Sequence, residues 1–223
     1  MAHVEAPLEY VEKYYEADLA ERDAPESKFY LSWLKYVKGK SVLSIGCGPN
    51  LYDDCRFFAE VPRELIGIDI NRANIDFLKD SGNANLESAR SFIKENGVKA
   101  EVLVGDVTKP NKGYTSRFDT IYGLGVFCAF KQGKLKEVFE LLNSYLKPGG
   151  LLIDVDWTEC QLSEEEKQKK KAYLFYNGDQ EIAEMGQLMK EANFSILKHE
   201  VYNVPNKAAY GWGKIYAYLA KKM

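Results

Sequence analysis

Apolar residues recur at helical spacing from Leu8 to Tyr15 and again from Ser27 to Val37, with Asp23-Ala-Pro25 breaking the run between them. This predicts a pair of helices ahead of the first strand. Four short apolar runs follow: Ser41 to Gly46, Glu64 to Asp69, Ala100 to Val104 and Phe118 to Gly123, separated by helix-compatible segments. Strands alternating with helices predict a parallel α/β sheet. Lys134 to Leu146 reads as a further helix, stopped by Lys147-Pro-Gly-Gly150 before a fifth strand from Leu151 to Asp156. Thr158 to Asn177 is polar and charged, either a solvated helix face or a segment covering a site. Gly178 to Asn193 predicts another helix. Phe194 to Val204 and Gly213 to Ala220 then read as two strands joined by a turn at Pro205-Asn206-Lys207, an antiparallel hairpin closing a seven-stranded, mostly parallel sheet with helices on both faces.

At 223 residues and 46% apolar or aromatic content the chain suits one sizeable core, read as a single domain over residues 1–223. Residues 1–38 form its helical cap, and residues 158–177 an insertion able to cover substrate. A net charge of −3 offers no broad field for phosphate backbones, so no nucleic-acid partner is expected. No apolar run approaches the ~20 residues of a membrane helix, and the N-terminus lacks a signal-peptide pattern, so a cytoplasmic protein with no membrane partner is expected. Cys47, Cys55, Cys128 and Cys160 show neither C-x-x-C spacing nor a nearby histidine pair, which argues against zinc and disulfides; no metal is expected. With His3 and His199 at opposite ends, a histidine-based nucleophile relay has little material.

Chemistry concentrates at the ends of the first three strands. Val42-Leu-Ser-Ile-Gly-Cys-Gly-Pro-Asn50 sets Gly46, Cys47 and Gly48 in a tight turn whose N–H groups can approach a ligand; the third glycine of a dinucleotide fingerprint is replaced by Leu51. Asp69, followed by Ile70, ends the second strand at the spacing expected of a ribose-binding acid. Gly105, Asp106 and Val107 follow the third strand, where a carboxylate can accept the amino hydrogens of adenine. Ligands of open α/β sheets bind at this carboxyl edge, so an adenosine-containing ligand is expected.

In these motifs, and in Phe118-Asp-Thr-Ile and Leu146-Lys-Pro-Gly-Gly150, the chain resembles the class I S-adenosylmethionine-dependent methyltransferases over nearly its whole length. It departs from them at Ser44, where many members carry an acid. The resemblance implies a Rossmann-like methyltransferase fold, S-adenosylmethionine as cofactor and S-adenosylhomocysteine as product. Tyr10-Val-Glu-Lys-Tyr-Tyr15, Gly48-Pro-Asn-Leu-Tyr52 and the Asp69 to Asn74 spacing are further similar to the nicotinamide, phenylethanolamine and indolethylamine N-methyltransferases. That likeness implies that Tyr10, Tyr15 and Tyr52 touch the methionine end, Asp69 and Asn74 the ribose, and Asp106 with Val107 the adenine. Packing of the tyrosines in the core is the competing reading.

Gly123-Leu-Gly-Val-Phe-Cys-Ala-Phe130 is expected to floor the space between cofactor and acceptor, with Gly123 on the cofactor and Phe127, Phe130 and Trp157 on a small organic acceptor. The absence of an Asn/Asp-Pro-Pro-Tyr motif argues against nucleic-acid base methylation. Asp154 and Asp156 share one face of the fifth strand; Asp156 is expected to hold the acceptor or act as base, Tyr15 to assist, with capping by Asp156 as the alternative. An amine or N-heterocycle heads the acceptors, ahead of O- or S-methylation. Aminopropyl-type transfer, a nicotinamide-dependent oxidoreductase and a non-catalytic binding module stay open, and the protein is expected to be a monomer or homodimer.

Overall fold

The computed structural model describes residues 7–130, 132–158, 179–205 and 213–223. The segment expected to cover the site, the tip of the terminal hairpin, His3 and Cys160 lie, in whole or large part, outside them. Two N-terminal helices, α1 (Leu8–Ala20) and α2 (Pro25–Ser32), are followed by a 3-10 turn at Trp33–Tyr36. Pro25 opens α2, where its missing N–H costs nothing and its fixed φ suits the helix. Strands β1 (Ser41–Ile45), β2 (Glu64–Asp69), β3 (Lys99–Val104) and β4 (Phe118–Leu124) alternate with the short α3 (Leu51–Asp54), then α4 (Arg72–Asp80) and α5 (Ala84–Glu95). Helix α6 (Gln132–Tyr145), β5 (Leu146–Thr158), α7 (Asp179–Glu191), β6 (Phe194–Asn203) and β7 (Lys214–Lys222) complete the order.

All seven strands share one sheet in the order β3-β2-β1-β4-β5-β7-β6. Strands β1 to β5 pair in parallel, and β7 runs antiparallel between β5 and β6, so the expected terminal hairpin is present. Alternation along each strand divides the apolar side chains between two cores. Val42, Tyr122, Ile153 and Val155 pack with α1, α3, α4 and α5, whereas Leu43, Ile45, Ile121 and Leu152 pack with α6 and α7. Among the described residues no helix is long and apolar enough to cross a membrane, and no group of His, Cys, Asp or Glu could hold a metal ion.

One boundary departs from expectation. Lys147-Pro-Gly-Gly150 does not precede β5 but belongs to it: the ladder with β4 steps from Phe118↔Leu146 to Thr120↔Leu151 across a bulge. A bulge tolerates Pro148, which has no N–H to give the ladder, and Gly149 takes φ +75° there. Asp119, opposite the bulge, accepts the N–H groups of Lys40 and Ser41 at 2.8 and 2.9 Å and the Lys147 ammonium at 2.7 Å. It thereby joins the starts of β1, β4 and β5.

Burial works against the Asp119 charge, but the ammonium of Lys147 and the two N–H donors outweigh it and hold the carboxyl below the usual aspartate range. Its stabilisation is therefore present above that range and lost as pH falls through the lowered folded value. Asp119→Ala is expected to cost about 1–3 kcal/mol at neutral pH, with the deficit shrinking in acid; urea unfolding of both proteins across pH checks it.

Candidate active site

The turn after β1 is built by two glycines with different duties. Both adopt the left-handed conformation, φ +55° at Gly46 and +53° at Gly48. A Cβ on Gly46 would meet Val126 Cγ2 at 1.8 Å, so this glycine lets the loop after β4 close on β1. A Cβ on Gly48 would meet nothing within 4 Å: its outer side is open, as backbone that a ligand approaches must be. Cys47, buried between them, gives its N–H to the Ile68 carbonyl at 3.1 Å, and its thiol is pushed well up by burial and by the charges of Asp69 and Asp54. The missing third glycine has a substitute on the opposite strand. At Gly67 of β2 a Cβ would stand 2.5 Å from Leu51 Cδ2 and 3.0 Å from Cys47 Sγ, so the bare strand admits Leu51. Gly67 escapes a motif search because its duty appears only when β2 faces α3.

Asp69 organises the edge. Its Oδ2 accepts the Gly48 N–H at 2.8 Å and Asn74 Nδ2 at 3.1 Å, and its Oδ1 accepts the Asn71 N–H at 2.7 Å. Its own carbonyl takes the Gly105 N–H at 2.9 Å, which ties β3's end to β2. Asp106, half-buried just beyond, accepts the Thr108 N–H and hydroxyl at 2.9 and 2.6 Å through Oδ1. Val107 is half-buried beside it, whereas Ile70 next to Asp69 is 44% exposed and Val104 is also exposed, leaving an apolar rim on both acids. Gly46, Cys47, Gly48, Asp69, Ile70, Asn74, Gly105, Asp106 and Val107 thus converge on one edge. Gly123 is packed from three sides, since an added Cβ would meet Phe127, Ile45 and Val126 within 3.2 Å.

The tyrosines divide. Tyr10 is 62% exposed on α1. Tyr15 is buried against Phe77, ring centroids 5.1 Å apart, and donates to Asp53 Oδ2 at 2.5 Å, so it clamps α1 onto α3 and α4. Tyr52 points to a hollow between α4, α5 and the start of β3, with Leu78, Arg90 and Ala100, away from the strands' carboxyl edge. Core packing therefore prevails for Tyr15 and Tyr52 over the expected cofactor and catalytic roles, because α3 docks with these rings turned inward. Two tyrosines that spacing did not single out, on α1 and α2, keep part of their surface exposed. Tyr14 is half-exposed with its phenol pushed up to about 12 by burial, Asp18, Tyr10 and Asp54; Tyr30 is only partly exposed, its phenol raised well above the ordinary range by burial and by Tyr14, Asp54, Asp18 and Asp156.

The expected acceptor residues also divide. Asp156 is fully buried on the α6–α7 face and caps the 3-10 turn after β4, its Oδ2 accepting the Phe127 and Cys128 N–H groups at 2.8 and 3.2 Å. Its partners thus come from the turn after β4, not from the segment after β5, which lies outside the described residues, and its carboxyl is fully buried. Burial raises Asp156, with Cys128 opposing, and neighbouring Asp154 is raised well above the carboxylate range by burial and by Asp156. Phe127 is likewise core, 5.1 Å from Phe139 by ring centroids. Phe130 and Trp157 keep partial exposure, and the Trp157 indole covers Gly125, where a Cβ would come within 2.1 Å of the ring.

Asp54, which sequence spacing did not flag, is 5% exposed at the end of α3. Its partner is Tyr122, whose hydroxyl approaches Oδ2 at 3.5 Å. Burial raises its carboxyl to about 8; Arg22 opposes, while Asp18 and Asp53 add to the rise.

Residues 17–199 match the profile of the family described as a methyltransferase domain, and the chain belongs to that family. No curated protein matches the sequence significantly. Solved structures share the fold. A SAM-dependent methyltransferase from Aquifex aeolicus is 17% identical with a TM-score of 0.59, over 98% of this chain and 100% of that one. A phospholethanolamine N-methyltransferase 2 from Haemonchus contortus, in complex with phosphomonomethylethanolamine and S-adenosylhomocysteine, is 16% identical with a TM-score of 0.54, over 93% of this chain and 53% of that one. The [4+2]-cyclase SpnF is 13% identical with a TM-score of 0.60, over 92% and 80%. At these identities the likeness concerns the fold alone.

The raised Asp54 carboxyl has a measurable consequence for the ligand-free protein. A group lifted in the folded state contributes stability that is present below its ordinary range near ~4 and lost as pH rises through the folded value. Asp54→Asn is therefore expected to gain thermal stability over the unaltered protein as pH rises from about 4 to about 8, with no further gain above that. Paired melting curves across pH check it.

Proposed function

We propose that this methyltransferase takes its methyl group from S-adenosylmethionine and passes it to a small organic nucleophile, an amine or N-heterocycle first among them. The observation that carries the reading is the convergence of the open Gly48 turn, Asp69 and Asp106 on one sheet edge. The residues fit the cofactor. Asp69, held rigid by Gly48, Asn71 and Asn74, would accept the ribose hydroxyls, with Asn74 beside it; Asp106 would accept the adenine amino group, with Ile70, Val104 and Val107 as the apolar rim.

When bound, the sulfonium supplies an activated methyl whose leaving group departs neutral. The protein's task is then alignment and exclusion of water more than proton transfer. Tyr14, Tyr30, Phe130 and Trp157 supply partly exposed aromatic surface for an acceptor with a flat or apolar body. With Asp156 engaged as a cap, no base is assigned, which suits an acceptor that reacts through an unprotonated nitrogen. The sequence of the Tyr10 to Tyr15 segment supports a place near the nicotinamide and phenylethanolamine N-methyltransferases, and α1 meets the glycine turn where Asn50 Nδ2 donates to Asp18 at 3.0 Å.

Calorimetric titration tests the reading. Asp69→Ala is expected to weaken S-adenosylhomocysteine binding by about 1.5–3 kcal/mol, roughly ten- to a hundredfold, because a buried charged acceptor and the Gly48 tether go together. Mass spectrometry of small amines, phenols and thiols incubated with enzyme and S-adenosylmethionine should show methylated product. Failure of the unaltered protein to bind either ligand would sink the proposal.

A further inference from the structure

The hollow that Tyr52 enters has a volume of about 540 Å³, in the range of small-molecule sites, and is bounded by α4, α5 and the start of β3. It is separate from the candidate active site. The recognition edge lies where β2 and β3 end, at Asp69 and beyond Val104, whereas the hollow meets β3 at Ala100, roughly 13 Å of strand earlier. Leu78, Ile93 and Val98 give it a buried apolar wall. Lys79, Arg90 and Lys94 line it as well, and among the described residues no carboxylate does.

The three cations differ in what already holds them. Arg90 is fixed to the end of α4: it donates to the Leu78 carbonyl at 3.2 and 2.7 Å and to the Ser81 carbonyl at 2.7 Å, and it pairs with Glu87 at the surface. Lys79 and Lys94 are exposed and form no ion pair among the described residues. Each sits in the last turn of its helix, where a cation complements the helix dipole. That preference explains a lysine in each helix; it does not explain why both line one apolar hollow without an acid between them.

The Tyr52 hydroxyl is the second observation. The side chain is only 9% exposed and lines the hollow, yet its hydroxyl makes no hydrogen bond among the described residues. A tyrosine buried to this extent ordinarily finds a partner for its O–H. Burial raises the phenol, with the Arg90 charge opposing, so the hydroxyl keeps its proton and is able to donate it in a hydrogen bond.

We propose that this hollow is a second ligand site, which takes a small organic anion with its apolar body against Leu78, Ile93 and Val98 and its charged group between Lys79 and Lys94, accepting the Tyr52 hydroxyl. The proposal is independent of the cofactor reading, because Gly48, Asp69 and Asp106 have no part in it. An ammonium or a neutral body of the same shape would leave the lysines unanswered, so charge is what the site selects.

The test uses the fluorescent aryl sulfonate 8-anilino-1-naphthalenesulfonate and its uncharged analogue N-phenyl-1-naphthylamine. Each is titrated into the full chain, with and without S-adenosylhomocysteine, and into two variants: Lys79→Gln with Lys94→Gln, and Tyr52→Phe. The lysines are exposed and phenylalanine keeps the ring, and melting curves verify that both variants are folded. The sulfonate is expected to bind the unaltered protein and to weaken at least about fivefold in the double lysine variant and about threefold in Tyr52→Phe. S-adenosylhomocysteine should not displace it, and the uncharged analogue should change by no more than about twofold in either variant. The proposal is overturned if the sulfonate does not bind, if either variant leaves its binding unchanged, if the uncharged analogue weakens equally, or if S-adenosylhomocysteine displaces it.

Discussion

The hydrogen bond from the Gly48 N–H to Asp69 Oδ2, 2.8 Å long, is the constraint on which the candidate active site depends. It joins the turn after β1 to the end of β2, and the Cys47 N–H to Ile68 carbonyl bond runs parallel to it. Through the same residue, Asn71 is placed to open α4, Asn74 is drawn to the carboxylate, and Gly105 brings β3 into line. A turn closed in this way needs left-handed backbone at Gly46 and Gly48, with Val126 filling the space over Gly46. The edge is thus tied together by the chain's own hydrogen bonds.

The two faces of β5 show how a single strand separates structural from accessible chemistry. Asp154 and Asp156 point to the α6–α7 side, where Asp156 caps the turn after β4 and the pair is deeply buried. Trp157 points to the other side and covers Gly125. Capping serves the active edge indirectly, because the capped turn carries Val126, and Val126 presses on Gly46. The acid that was the natural choice for a catalytic role therefore acts on the geometry of the floor and not on an acceptor.

The shared architecture of this chain, a methyltransferase and a cyclase shows that the fold does not dictate the bond that is made. What differs is carried by side chains above the edge. Here these include tyrosines from α1 and α2 and the buried carboxyl of Asp54 from α3.

The sequence by itself determined the strand and helix order, the mixed terminal hairpin and the edge residues Gly46, Gly48, Asp69 and Asp106. Each of these follows from local rules: periodicity places a residue on a strand, and strand ends in a parallel sheet share one edge. Tertiary structure alone decided the side chains whose direction depends on a distant element. Tyr15 turned inward because α3 presented Asp53, and Tyr52 because α4 and α5 offered a hollow. Asp156 turned to the core because two N–H groups from another strand's loop awaited it, and Gly67 mattered only once Leu51 lay across it. Asp54, an ordinary acid in the sequence, became a buried carboxyl beside the glycine turn only when α1, α2 and β4 closed around it. Spacing along a chain reports which face a residue occupies, while burial and partnership are set by what packs against that face.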